Sequence, residues 1–272
     1  MPELPEVETI RLQLLSKICG KKITKVEVKF AGLLNVPAKN FIRILTGAII
    51  EEIRRRAKLL IFDLSNGWSL ILHLKLTGQL ISNGEKGIGQ PHIIYTFEDG
   101  TQLKHYDFRR FGYVKLVRRE EVETYLDKEG FGPEPLDKKF TLEVFRELLK
   151  KKPKALIKPL LMDQTFIAGV GNIYAQEACF FAQILPTRRV GSLNDEEIKR
   201  LYEGLKKILK EAINYRGSSV DSYVDALGKP GNYVSKLKVY GRGRKKCLRC
   251  GSLLKEAKLA GRSTVWCPKC QK

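Results

Sequence analysis

The chain has 272 residues, 43% of them hydrophobic and 29% charged, enough for about two domains with buried cores and too apolar for wholesale disorder. No apolar run approaches the roughly 18 residues of a membrane span. Lys and Arg number 50 against 30 Asp and Glu, a net charge of +20; residues 236–272 alone hold 12 basic side chains and 1 acidic one, and so lopsided a surplus points to a polyanionic partner more than to an evenly Lys-rich solvated surface.

The opening stretch Met1-Pro2-Glu3-Leu4-Pro5-Glu6-Val7-Glu8 is acidic and lacks an apolar core. No signal or transit peptide is expected, so a cytoplasmic setting with reduced thiols is. Val7, Ile10, Leu14, Leu15 and Ile18 recur near helical spacing and predict an amphipathic helix over 6–18, closed near Gly20. Pro2-Glu3 ahead of it has two readings. An acidic first helical turn is ordinary helix chemistry. Alternatively, removal of Met1 leaves Pro2 with a secondary amine, and an α-amino group titrates near about 7.7–8.0, against about 10.4 for lysine. Its attack on a sugar C1′ gives a permanently cationic iminium, which acidifies the 2′-proton and lets the 3′-phosphate leave. Glu3 is then placed to protonate the ring oxygen.

From residue 22 to about 117 the pattern changes to short β-rich runs: Ile23–Phe30, Ala48–Ile53, Leu59–Leu64, Ser69–Leu74, Ile93–Phe97 and Tyr113–Val117. With turn signals between them, they predict an antiparallel sandwich or flattened barrel. Arg54-Arg55-Arg56-Ala57-Lys58 reads either as a charged strand edge or as a phosphate-facing row. Ser82–Gln90 is a polar, Gly-rich loop expected to be mobile. Asp107-Phe108-Arg109-Arg110-Phe111-Gly112 is either a cation–π pair on a strand or an arginine and an aromatic wedge aimed at a base stack.

Gly132-Pro133-Glu134-Pro135 marks a domain boundary. Helices are predicted over 140–152, 154–164, 173–183 and 194–216, followed by a loop-rich stretch over 217–233. The turn Gly169-Val170-Gly171-Asn172 is a helix connection with Asn172 as its N-cap. With Lys154 and Lys158 upstream, it is also a candidate phosphate site.

Six cysteines are present. Cys19 and Cys179 are single and read as small buried hydrophobes. Cys247, Cys250, Cys267 and Cys270 are spaced C-x2-C-x16-C-x2-C, which fits one tetrahedral structural Zn2+ with no open coordination position. A tail of this length is too short to build a core without the metal. Between the ligand pairs, Ser252–Trp266 lacks a helical stripe and reads as a β-hairpin with Arg262 near its tip.

These motifs occur together in one family. The stretch from Met1 to Thr9, Arg-Arg-Ala-Lys58, Asp107–Gly112, Gly132–Leu136, Ile157-Lys158-Pro159, Gly169–Tyr174, Gly228–Gly231, Val239–Arg242 and the four-cysteine finger closely resemble bacterial formamidopyrimidine-DNA glycosylase (8-oxoguanine DNA glycosylase), end to end. The resemblance implies an α+β multidomain fold. Residues 1–132 would form a catalytic domain, an N-terminal helix plus antiparallel β-sandwich. Residues 133–235 would form a helix-two-turn-helix domain with a lesion-capping loop at about 217–233, and 236–272 a β-hairpin zinc finger. It implies a monomeric base-excision-repair enzyme acting on double-stranded DNA. The enzyme would flip out oxidised purines, excise them and cleave the abasic site by β,δ-elimination.

By the same resemblance Pro2 is the Schiff-base nucleophile, Glu3 the general acid, Lys58 an aid to elimination and a phosphate contact, and Arg262 the arginine of the second elimination. Arg109 and Phe111 fill the space the flipped base leaves, with Arg109 facing the orphaned cytosine. Lys158 and Asn172 match phosphate contacts, and Lys154 matches one approximately because Pro153 interrupts the run. Two positions depart from the family pattern: Leu76 stands where the third filler is usually Met, and Gln90 where a DNA-contacting His is usual. The nearest rival is an oxidised-pyrimidine glycosylase of endonuclease VIII type; Leu4–Thr9 and the long loop over 217–233 favour the purine branch. A non-catalytic zinc-finger DNA-binding protein is the rival from another class, and intact Pro2, Glu3 and Lys58 speak against it.

Overall fold

The computed structural model describes residues 1–83 and 87–272. The middle of the predicted 82–90 loop, residues 84–86, lies outside the described residues. The chain forms two compact units, one of residues 1–129 with 212–234 and the other of residues 130–211 with 235–272.

The first unit opens with α1 (Leu4–Ile18), two residues earlier than the apolar spacing predicts, because Pro5 fits the first turn of a helix. Eight strands follow: β1 (Ile23–Val28), β2 (Ile50–Arg56), β3 (Leu59–Leu64), β4 (Trp68–His73), β5 (Gly78–Ser82), β6 (Ile93–Phe97), β7 (Gln102–Asp107) and β8 (Tyr113–Arg118). They form two four-stranded antiparallel sheets, ordered β1-β6-β7-β5 and β2-β3-β4-β8. Inward residues of both sheets, among them Ile23, Leu60, Phe62, Leu72, Leu80 and Phe97, share one core with Ile10 and Leu14 of α1. The expected β-sandwich is therefore present. α2 (Ala38–Leu45) lies on β1, and α3 (Val122–Glu129) closes the segment.

Strands β5 and β7 escape the apolar pattern. In β7 the inward positions include His105 and Asp107, both fully buried, so the strand looks polar while its buried face is intact. In β5 the polar Gln79 is buried because its amide donates to the Ser222 carbonyl at 2.6 Å. Residues 212–234 fold with this unit, whereas the sequence-based division places them in the helical domain. The reason is burial: Tyr223 and Ala226 belong to the sandwich core, and Ala226 accepts a backbone bond from Ser82 at 2.8 Å.

His105 supplies a test of this core. Neither ring nitrogen has a hydrogen-bond partner among the described protein atoms, and burial pushes its imidazole down to about 4 from the ordinary 6.5. Both folded and unfolded chains carry it neutral at pH 7.5. Below about 6.5 only the unfolded chain takes up the proton, so stability falls as the pH drops toward 4. In urea unfolding at pH 7.5 and pH 5, His105 is expected to contribute a loss on the order of 2 kcal/mol at pH 5, and His105→Leu removes that share of the pH dependence. An unchanged pH dependence in the variant contradicts this account.

The second unit holds α4 (Leu142–Lys150), α5 (Ile157–Met162), α6 (Asn172–Ala182) and most of α7 (Asp195–Asn214), all close to the predicted helices. Thr141 caps α4 through its side chain, which accepts from the Val144 N–H. The unit ends in a two-stranded antiparallel ribbon, β9 (Lys255–Leu259) and β10 (Arg262–Trp266), the expected hairpin between the cysteine pairs.

Candidate nucleic-acid interface and zinc centre

Glu3 stands at the start of α1, where its N–H donates to Glu6 Oε2 at 2.8 Å. Pro2, Glu3 and Glu6 are all buried. The other carboxylate oxygen of Glu6 accepts from the Ser218 N–H at 2.8 Å, so one side chain ties the helix start to the 217–233 segment. Gly217 allows that approach: its φ is +77°, and a Cβ there would lie 2.7 Å from Glu6 Oε1. Further along, buried Asp225 binds Arg216 at 2.9 Å, Gln13 at 3.1 Å and the N–H groups of Leu227 and Lys229.

α1 packs on β2 and β3. Arg56 pairs directly with Leu59, so Ala57-Lys58 is the two-residue turn of a hairpin. Ala57 takes a φ of +53° there, and Lys58 is buried. Arg54 bonds Asp63 at 2.8 Å and Glu123 at 3.1 Å, and Arg55 bonds Glu8 at 2.8 Å. Of the two readings of this basic row, Arg54 and Arg55 thus follow the first, a charged edge strand satisfied from within.

One neighbour is not singled out by the sequence. His73 lies opposite Leu59 in the β3–β4 register. Burial, with help from Lys75 and Lys58, pushes it down to about 3. Its Nδ1 accepts from the Lys75 N–H at 2.9 Å, which leaves the proton of a neutral ring on Nε2. His73 is therefore a neutral donor beside Lys58. Counting register back from the Ala57-Lys58 turn is the signal that finds it.

Arg109 and Phe111 are exposed on the loop after β7, with the guanidinium 4.8 Å from the ring centroid. Leu76 is half-buried in the turn before β5, and Gln90 is exposed just after Gly89. Cys19 is half-buried instead of buried, and its thiol donates to the Glu51 carbonyl at 3.2 Å; Cys179 is fully buried as expected.

In the second unit, Gly171 is the N-cap of α6 and Asn172 its first helical residue, so the cap falls one position earlier than expected. Asn172 donates instead to the Ser263 carbonyl at 3.2 Å. Gln176, one turn on, donates to the same carbonyl at 3.1 Å and accepts from the Val265 N–H at 2.7 Å. Lys158 is fully buried, and its ammonium donates to Thr264 Oγ1 at 2.8 Å. Three side chains thus hold strand β10, and Arg262 stands exposed at its start. Gln176 is absent from the sequence-based candidates, although its i+4 spacing from Asn172 places both on one helix face. Lys154 is exposed. Glu177 anchors the segment leading to the ribbon by accepting from the N–H groups of Lys238, Val239 and Tyr240, each at 2.9 Å. Burial still raises its carboxyl, against those three donors.

The four cysteine sulfurs all lie within 4.8 Å of one another. The Cys250–Cys267 and Cys247–Cys270 pairs are 3.4 and 4.0 Å apart, bracketing the ~3.8 Å edge of a tetrahedron with 2.3 Å metal–sulfur bonds. The N–H groups of Arg249 and Cys270 point at Cys247 and Cys267 sulfurs. Burial and then the neighbouring sulfurs push Cys270 up to about 12. Four thiolates this close need a cation between them. The donor set and geometry fit one zinc ion, as the spacing predicts.

A helical module joined to a basic zinc ribbon defines a DNA-binding zinc protein, here combined with a β-sandwich that starts at Pro2-Glu3. Three family descriptions match in order: the formamidopyrimidine-DNA glycosylase N-terminal domain over residues 1–114, its H2TH domain over 131–224, and the zinc finger found in FPG and IleRS over 244–272. The chain belongs to the formamidopyrimidine-DNA glycosylase family. It is 44% identical to a formamidopyrimidine-DNA glycosylase of Listeria monocytogenes, covering 100% of both chains. Among solved structures it is similar to Lactococcus lactis Fpg in complex with DNA containing an abasic site, with 37% identity, TM-score 0.91 and 99% of each chain covered. It is also similar to MutM in complex with DNA containing carbocyclic 8-oxo-G, with 37% identity, TM-score 0.90 and 100% of each chain covered. No helix among the described residues is long and apolar enough to cross a membrane.

Proposed function

We propose that the protein is a bifunctional DNA glycosylase and abasic-site lyase of base-excision repair, acting as a monomer in the bacterial cytoplasm on duplex DNA that carries oxidised purines or abasic sites. The observation that carries this reading is the buried Pro2-Glu3 pair at the head of α1, on the sheet whose β2–β3 turn presents Lys58. After loss of Met1, the Pro2 nitrogen attacks C1′. The C1′–N9 bond breaks, and the base leaves with its electron pair and takes up a proton. Glu3 protonates the ring oxygen, the sugar opens, and an iminium joins Pro2 to C1′. Loss of the 2′-proton expels the 3′-phosphate, and a second elimination expels the 5′-phosphate.

Lys58 supports the eliminations and binds phosphate, and Arg262 serves the second one. Leu76, Arg109 and Phe111 fill the gap left by the flipped nucleotide, Gln90, Lys154 and Asn172 hold the backbone, and residues 217–233 cap the lesion. Lys158, being buried under Thr264, acts by holding β10 and with it Arg262. By role rather than by fold, 1–132 carries the chemistry, 133–235 the helical module and the capping loop, which packs into the sandwich core, and 236–272 the finger. Zinc holds the ribbon in shape and takes no part in bond breaking.

Borohydride trapping on a duplex with one 8-oxoguanine opposite cytosine, with thymine glycol in parallel, tests this reading. An adduct mapped to Pro2 and favouring 8-oxoguanine is expected. Preference for thymine glycol moves the protein to the oxidised-pyrimidine branch, and no adduct from Met1-free protein that binds DNA overturns the enzyme reading.

A further inference from the structure

Two side chains with no role above stitch together the turn that carries Leu76 and the loop that carries Arg109 and Phe111. Thr77 Oγ1 donates to Asp107 Oδ1 at 2.5 Å and accepts from the Arg109 N–H at 2.9 Å. Asp107 Oδ2 accepts from the Gly112 N–H at 2.6 Å. The Asp107 carbonyl accepts from the Arg110 N–H at 3.0 Å and lies 2.9 Å from His92 Nε2. Asp107 is fully buried, and a Cβ at Gly112 would lie 2.9 Å from its Oδ2.

Each segment also passes through left-handed backbone one residue ahead of a filler. Lys75 has φ +49° before Leu76, and Arg110 has φ +57° before Phe111. Residues other than glycine keep that conformation where the surroundings over-determine it, and the Thr77–Asp107 bonds supply that constraint on both sides. Arg109 already stacks on Phe111.

We propose that Thr77 and Asp107 are positioning residues that couple the two segments, so that Leu76, Arg109 and Phe111 enter the duplex as one pre-formed wedge, and that this coupling sets discrimination of the base opposite the lesion. The proposal rests on the reading of those three as void fillers. Pre-organisation matters because a displaced filler leaves the stack open while the base is out, and ordering it during the reaction adds to the barrier.

Thr77→Val deletes a donor and an acceptor at constant volume. Single-turnover excision of 8-oxoguanine opposite cytosine is expected to fall roughly 10- to 100-fold. The unstacking signal of a 2-aminopurine beside the lesion slows with it, and the preference for cytosine over adenine opposite the lesion shrinks. Cleavage of an abasic site in single-stranded DNA, which has no gap to fill, stays within about twofold. Thr77→Ser, which keeps the hydroxyl, restores duplex excision. Combining Thr77→Val with Leu76→Ala costs less than the two single effects together, as coupled sites require.

Duplex excision unchanged in Thr77→Val, or lost in step with single-strand cleavage, overturns the proposal, as do fully additive double variants. Assays run well below the measured melting temperature of each variant, and Thr77→Ala carries the same test if Thr77→Val does not fold. Wild-type protein without excision or trapping instead overturns the function reading itself, so the two failures are told apart.

Discussion

Protein that retains Met1 gives no borohydride-trapped adduct with an abasic-site duplex, while the form beginning at Pro2 gives a stoichiometric one. An amide nitrogen has its lone pair in the peptide bond and cannot attack C1′. The loss should therefore exceed about a thousandfold, the whole of the nucleophilic contribution. Pro2→Gly, processed to a free terminus, separates two causes. Glycine offers a primary amine, whose imine must be protonated before it draws electrons, whereas the proline iminium is cationic from the start. Residual trapping well below wild type is expected, with DNA affinity little changed. Intact mass spectrometry identifies the terminus, and trapping on a preformed abasic site isolates amine attack from base release. Undiminished trapping in the Met1 form removes Pro2 from the mechanism.

The second large effect concerns the metal. Cys247→Ala is expected to lower bound zinc from one ion per chain to none, and to weaken duplex binding by about two orders of magnitude or more. The ribbon's core is only a small cluster, Val239, Leu254, Val265, Cys247 and Cys267 with Phe180 of α6. That is too little to pin a hairpin without the ion. The hairpin carries Lys255, Lys258 and Arg262 on its exposed positions, so its loss removes phosphate contacts as a group. The sandwich has a separate core and should keep its melting transition and its circular dichroism. Zinc content by metal analysis and binding by fluorescence anisotropy check both halves. Full DNA affinity in the zinc-free variant rules out the finger as a binding element.

Both of these effects follow from features that are local in the chain. Four cysteines at tight spacing report a metal site because two-residue gaps place thiolates on one turn. The helices α4 and α7 are legible in the sequence because one buried face writes a 3.6-residue period into the chain. Pro2 and Glu3 are legible because their chemistry depends on the chain terminus and on adjacency, both local properties. The strands that stand out are those whose inward positions are aliphatic; β7 is hidden because His105 and Asp107 face inward.

The remainder depends on partners distant in sequence. Glu6 meets Ser218 across 212 positions, and no local pattern announces such a bond. The same holds for Arg55 with Glu8 and for Lys158 with Thr264, where a residue type that suits phosphate is taken up by an internal partner instead. The placement of 212–234 on the sandwich is decided by burial of Tyr223 and Ala226 in a core assembled from two sheets. Composition and spacing thus determine which chemistries the chain can carry. Tertiary structure decides which charged side chains stay available for DNA and which are consumed in holding the others in place, because that depends on proximity in space and on desolvation, neither of which is encoded in any short stretch of sequence.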